Sequence, residues 1–146
     1  MTDLSRLFRP KSIAIFGGVW AENVITQCLK MGFEGDIWPV HPKRETMGGL
    51  PCFKDVDALP NAPDVAFLGI NRHAVIEVAA ALAARDCGGA ICFASGFAET
   101  GDIDLQTALI DAAGSMPVLG PNCYGFINYL DAVPLWPDQH LSLIHI

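Results

Sequence analysis

The apolar run Ile13-Ala14-Ile15-Phe16, closed by Gly17-Gly18, constrains this chain more than any other stretch. It shows no alternation of apolar and polar residues, so it does not describe a strand with one wet face. It suits a strand buried on both faces of a parallel sheet. The two glycines end it. Residues Glu22 to Met31 then read as a helix with Ile25, Cys28 and Leu29 on one face, and Gly32 is placed to stop it. Strand, glycines and helix in that order bring backbone N–H groups and the positive end of a helix dipole beside a sheet edge, a geometry that accepts a phosphate. A full dinucleotide fingerprint has a third glycine, G-x-G-x-x-G. Here a Gly-Gly pair is followed by Val19-Trp20-Ala21-Glu22-Asn23, and a tight turn with no ligand is the competing reading.

The same alternation continues along the chain. Leu4, Leu7 and Phe8 form a short helical lead-in ended by Pro10. Asp36-Ile37-Trp38-Pro39-Val40 is a second strand, edge-like because Pro39 cannot donate to a ladder. Residues 45–61 are turn-rich, with one short helix expected over Lys54 to Leu59. A third strand spans Val65 to Ile70. Asn71 then caps a helix from Arg72 to Arg85, in which Val75, Val78, Ala79 and Leu82 share a face. Gly88-Gly89 stop that helix before a fourth strand, Ala90 to Ala94. Asp102 and Asp104 mark the start of another helix, with Leu105, Ala108, Leu109 and Ala112 on its apolar face, and Met116 to Leu119 make a fifth strand. Strands alternating with helices imply right-handed crossovers and a doubly wound, mainly parallel five-stranded α/β sheet with helices on both faces. Ligands of such sheets sit outside the carboxyl ends of the strands. All five exits carry special residues: Gly17-Gly18, Pro42-Lys43, Asn71, Ser95-Gly96 and Gly120-Pro121-Asn122.

The end of the second strand separates candidate ligands. A carboxylate there binds the ribose hydroxyl of NAD, but this chain has His41-Pro42-Lys43-Arg44. Cations suit a ribose carrying a phosphate, as in NADP or coenzyme A; a solvated basic loop is the ligand-free alternative. The net charge of -7 excludes a basic nucleic-acid surface without excluding a small anion held by local donors. With 51% hydrophobic and 17% charged residues, the 146-residue chain has the makings of one well-filled core. Its five cysteines contain no C-x-x-C pair, so neither zinc nor a disulfide framework is expected; most should be small buried hydrophobes in a reducing compartment. Asp3, Arg6, Arg9 and Lys11 break up any signal peptide, and no apolar run reaches the ~18 residues of a membrane span. A cytoplasmic protein without membrane contact is expected. Leu141 to Ile146 fit no element and read as a translated adapter joined to a truncated gene, which leaves 1–140 as the domain and 141–146 as a non-native tail; a short strand is the plain alternative.

Four ordered blocks resemble one family. Leu7 to Gly17, Gly35 to Lys43, Ser95 to Gly101 and Leu119 to Gly125 are similar to the opening of the NDP-forming acyl-CoA synthetases. These are the acetate–CoA ligases (ADP-forming), related to the succinyl-CoA synthetase alpha subunit. The resemblance implies a Rossmann-like CoA-binding domain. By the same resemblance, Gly17, Gly18, Val19 and Trp20 pack on the CoA phosphates, and Pro42 and Lys43 lie near the adenosine end. Ser95, Gly96 and Phe97 line the nucleotide and pantetheine, with Asn71 and Asn122 at the matching exits. Relatives usually have a longer first loop with a Gly-Ala-Ser segment and a second glycine, whereas here it is short and holds Trp20.

The implied reaction joins an acid to CoA at the expense of ATP or GTP, through an acyl phosphate and a phosphohistidine. The phosphorylated histidine and the ATP-grasp part lie in other domains, so His41, His73, His140 and His145 take no catalytic role and this chain holds no catalytic residue. Its implied partners are CoA or acyl-CoA and the remaining domains of a synthetase; an oligomer is compatible with this. Cys123 reads as a buried structural thiol, and Glu99 as a residue that orients its loop or meets ligand hydroxyls, with a solvated acid as the plain alternative. The rivals are a stand-alone CoA-binding module and an NADP-dependent oxidoreductase, the latter lacking any recognisable hydride-transfer residue.

Overall fold

In the computed structural model, which describes residues 1–140, one helical turn, α1 (Ser5–Phe8), leads into β1 (Ser12–Gly17), α2 (Val19–Met31) and β2 (Asp36–Val40). A small hairpin of β3 (Thr46–Met47) and β4 (Leu50–Pro51) precedes β5 (Val65–Gly69), α3 (Arg72–Ala84) and β6 (Ala90–Cys92). A 3-10 turn at Ala98–Thr100 and α4 (Ile103–Ala113) lead to β7 (Val118–Leu119), and a second hairpin pairs β8 (Phe126–Asn128) with β9 (Val133–Leu135). The proposed tail, 141–146, lies outside the described residues.

Five strands form one parallel sheet in the order β2-β1-β5-β6-β7. The doubly wound architecture expected from the alternating pattern is the one observed. Because side chains on a strand alternate between faces, β1 serves two cores at once. Ile13 and Ile15 pack with Val24, Ile25 and Cys28 of α2 and with Val133 and Leu135. Ala14 and Phe16 belong to the opposite core, with Val75, Ala79 and Leu82 of α3 and Leu109 of α4. From β1 the chain crosses through α2 to one side of the sheet, and from β5 through α3 to the other. Their adjacent carboxyl ends therefore form the crevice where such sheets bind ligands.

Several boundaries differ from the sequence reading, each for a local reason. α2 begins at Val19, three residues before the expected Glu22, so the glycines run straight into the helix. Lys54 to Leu59 is not a helix. Asp55 Oδ1 accepts from the Ala58 N–H at 2.9 Å and Leu59 N–H donates to Val56 O at 3.2 Å, making turns that bury Val56 and Leu59. So short a segment before Pro60 forms too few bonds to offset helix nucleation, and the Asp side chain offers the backbone a competing partner. β2 is an edge strand, as Pro39 required, and one bridge shields it: Phe53 N–H donates to Pro39 O and His41 N–H to Phe53 O, both at 2.9 Å.

All five cysteines are free. Burial pushes the Cys28 and Cys92 thiols up to about 12 and Cys87 to about 11, as expected of thiols that serve as apolar filling. Among the described residues no helix is long and apolar enough to cross a membrane, and no cluster of His, Cys, Asp and Glu could hold a metal ion.

Candidate functional site

At the crevice, Gly17 has φ +132° and pairs in register with Gly69 of β5. A Cβ on Gly17 would stand 2.2 Å from the Gly69 carbonyl oxygen. The next residue, Gly18, is the N-cap of α2 and supplies no capping side chain, and a Cβ built on it meets nothing within 4 Å. The first N–H of this turn with an acceptor is that of Glu22, bonded to Gly18 O at 3.0 Å. The N–H groups of Val19, Trp20 and Ala21 have none among the described residues. Three unpaired donors at the positive end of a 13-residue helix, opening onto clear space, make an anion cradle.

The loop leaving β2 is held by His41, whose Nδ1 accepts from the Lys43 N–H at 3.1 Å and the Arg44 N–H at 3.0 Å. Arg44 is committed: its guanidinium meets Glu22 of α2 at 2.8 Å, tying this loop to the cradle. Lys43 is exposed, and its ammonium has no partner among the described residues. Pro42 forms part of the wall of an apolar cleft of about 410 Å³, with Phe16, Val40, Ile70, Ala74 and Val78. A larger groove, about 880 Å³, lies at the opposite edge of the sheet between Arg9, Lys11, Gly35 and Asp131, away from the strand exits.

Farther along the rim, Asn71 Oδ1 accepts from the His73 and Ala74 N–H groups at 3.0 and 2.9 Å, so it caps α3 and leaves only its amide hydrogens for a ligand. Arg72 donates to the Gly96 carbonyl and stands 3.8 Å from Asp102. Glu99 accepts from the Gly96 N–H at 2.6 Å and the Phe97 N–H at 3.1 Å, and the Gly96 bond first of all holds its carboxyl below the usual range. The 95–97 loop is thus clamped from both sides, which gives Glu99 the orienting role. Ser95, exposed on this clamped loop, has no partner among the described residues. Phe97 is fully buried among the residues of the α3–α4 core, so its ring does not line the rim as the resemblance implied; only its backbone is there. Asn122, at φ +55°, donates its N–H to Ala94 O at 2.8 Å and leaves its side chain exposed.

The structure brings Gly17, Gly18, Val19, Trp20, Pro42, Lys43, Asn71, Ser95, Gly96 and Asn122 to one edge. Arg72 and the apolar cleft went unread in the sequence. A second stripe on α3, Ala74, Val78 and Ala81 beside the buried Val75, Ala79 and Leu82, was the available signal for the cleft.

The family described as "CoA binding domain" matches residues 11–129. This chain belongs to it. That membership settles the choice left open by the cationic exit of β2: the cofactor is coenzyme A. The CoA-binding domain is 38% identical over 142 residues to trans-feruloyl-CoA synthase from an unknown prokaryotic organism, a match covering 91% of this chain and 20% of that protein. It is 30% identical over 135 residues to acetate–CoA ligase [ADP-forming] II of Archaeoglobus fulgidus, covering 86% and 20%. The solved dinucleotide forming acetyl-coenzyme A synthetase 1 of Ca. Korarchaeum cryptofilum, in complex with phosphate and ADP, superposes with a TM-score of 0.90 at 29% identity, covering 95% of this chain and 32% of that one. The chain thus spans about a fifth of the length of these curated relatives. The cradle and the uncommitted Lys43 fit a cofactor whose nucleotide end is polyanionic.

Proposed function

We propose that this CoA-binding domain serves an NDP-forming acyl-CoA synthetase, which joins an acid to CoA at the expense of ATP or GTP. The observation that carries this reading is the three unpaired α2 donors, tied through the Glu22–Arg44 ion pair to the loop that carries an unpaired lysine, in a chain whose relatives are acid–CoA ligases over most of its length. The α2 N–H groups hold the pyrophosphate, where the helix dipole favours its charge. Lys43 meets the 3′-phosphate on the ribose. The cleft of Phe16, Val40, Ile70 and Ala74 takes the adenine, and the pantetheine arm crosses the exits of β6 and β7 past Ser95 and Asn122. Histidine phosphorylation and nucleotide turnover belong to other domains, so this domain's part is to bind and aim the thiol. Five free thiols fit a reducing, cytoplasmic setting.

Calorimetric titration with CoA, dephospho-CoA, NADP and NAD tests the reading. CoA is expected to bind in preference to both nicotinamide cofactors. Lys43→Ala should weaken CoA by about 1 kcal/mol, roughly fivefold, because the exposed site screens the contact. Dephospho-CoA should be hardly affected. Equal losses for the two would remove Lys43 from the phosphate, and tighter binding of NADP than of CoA would sink the functional reading.

A further inference from the structure

The order of strands gives a bound CoA a direction. Given the placement proposed above, on which this inference rests, the ribose phosphate lies at the exit of β2 and the pyrophosphate at β1. The thiol arm then has only the exits of β5, β6 and β7 to run along, about 14 Å of rim at the usual strand spacing.

That stretch is lined with aromatic rings. Trp20 starts in the first turn of α2, where its N–H belongs to the cradle, and its Cβ lies 3.6 Å from where a Cβ of Gly69 would be. Its ring meets Phe93, just past β6, at 5.3 Å between centroids; Phe93 meets Tyr124, past β7, at 5.6 Å, and Tyr124 meets Trp136, past β9, at 4.7 Å. Phe93 is backed by the fully buried Phe67 at 5.7 Å, which fixes the row against the core. Trp20 and Tyr124 nevertheless remain 46% and 38% exposed. Asp138 accepts from the Tyr124 hydroxyl at 3.3 Å. Amide and methylene groups, which make up the pantetheine arm, do not call for such a surface. A flat apolar ring carried on the thiol does, since offset or edge-on contacts add to the area it buries, and contiguous exposed apolar surface marks a binding site.

We propose that this row seats an aromatic acyl group carried as the CoA thioester, with Tyr124 as the specificity-determining residue. The 146-residue chain is titrated with CoA, acetyl-CoA and benzoyl-CoA, as wild type, Tyr124→Ala and Tyr124→Phe. Wild type should bind benzoyl-CoA roughly two- to tenfold more tightly than acetyl-CoA. Tyr124→Ala should erase that preference, weakening benzoyl-CoA by a larger factor than CoA or acetyl-CoA, and Tyr124→Phe, which keeps the ring, should retain it. Equal wild-type affinities for the two thioesters, or a Tyr124→Ala loss of the same factor for all three ligands, overturns the inference while leaving CoA binding intact. Failure of wild type to bind CoA at all overturns the placement beneath it, and the inference with it.

Discussion

A methyl group added at Gly17 would stand 2.2 Å from the Gly69 carbonyl oxygen, on a backbone whose φ of +132° already disfavours side chains; at Gly18 the same methyl meets open space. Opposite outcomes are expected from neighbouring substitutions. Gly17→Ala should lower unfolding free energy by about 2 kcal/mol or more in urea melts, because neither the β5 backbone nor the φ can relax cheaply. Gly18→Val should melt close to wild type yet lose CoA binding in titration, since its side chain fills the space in front of the α2 donors. A Gly18→Val chain that binds CoA normally would show that the phosphates lie elsewhere. The pair itself was legible in the sequence, but the division of labour was not, because it depends on a partner glycine in another strand. Cys28, Cys87 and Cys92 were legible as core residues from type alone, whereas Cys123, expected to be buried, is only half-buried. With Cys28, Cys87 and Cys92 buried and their thiols pushed up to about 12, 11 and 12, iodoacetamide at pH 8 should modify only Cys52 and Cys123 in the native chain. Peptide mass mapping before and after denaturation checks this, and early labelling of a buried thiol would contradict the packing described.

Among the elements, the loop from β6 to α4 carries the clearest pH dependence. The Glu99 carboxyl is held below its ordinary value, chiefly by the Gly96 N–H. A depressed folded value means that its contribution to the loop is complete above the ordinary carboxylate range and is lost as pH falls through the folded value. Acidification should therefore speed hydrogen exchange at the Gly96 and Phe97 amides ahead of the sheet, and Glu99→Gln should give fast exchange there even at neutral pH. Exchange that ignores both changes would mean that Arg72 alone holds the loop. Helices α3 and α4 were readable because cap and apolar period agree, with Asn71 and Asp102 at their starts. The β8–β9 hairpin was not. Its strands are three residues each, one contains Pro134, and a run that short shows no period; what fixes it is packing of Val133 and Leu135 against α2.

At the scale of the whole molecule, the fold was legible because strand burial, turn glycines and helix caps all specify the same alternation, and agreement across levels is what singles out one structure. The direction of the ligand along the rim was hidden, since it follows from the spatial order β2-β1-β5-β6-β7, which no local stretch encodes. That order also predicts how binding feeds back on stability. A net charge of -7 opposes an anionic ligand at long range, so the proposed site relies on local donors contributed by separate elements: the α2 turn, the β2 exit loop and the loops after β6 and β7. Those donors are brought together only in the folded chain, so CoA should stabilise it by mass action, about 2.7 kcal/mol at a hundredfold excess over Kd. For a domain of this size that corresponds to a rise of roughly 6–10 °C in Tm. Dephospho-CoA should give a smaller rise at equal concentration, by the share that Lys43 contributes, and NAD almost none. A Tm that climbs equally with all three would mean that the adenine cleft alone is being filled, and that neither the cradle nor Lys43 takes part.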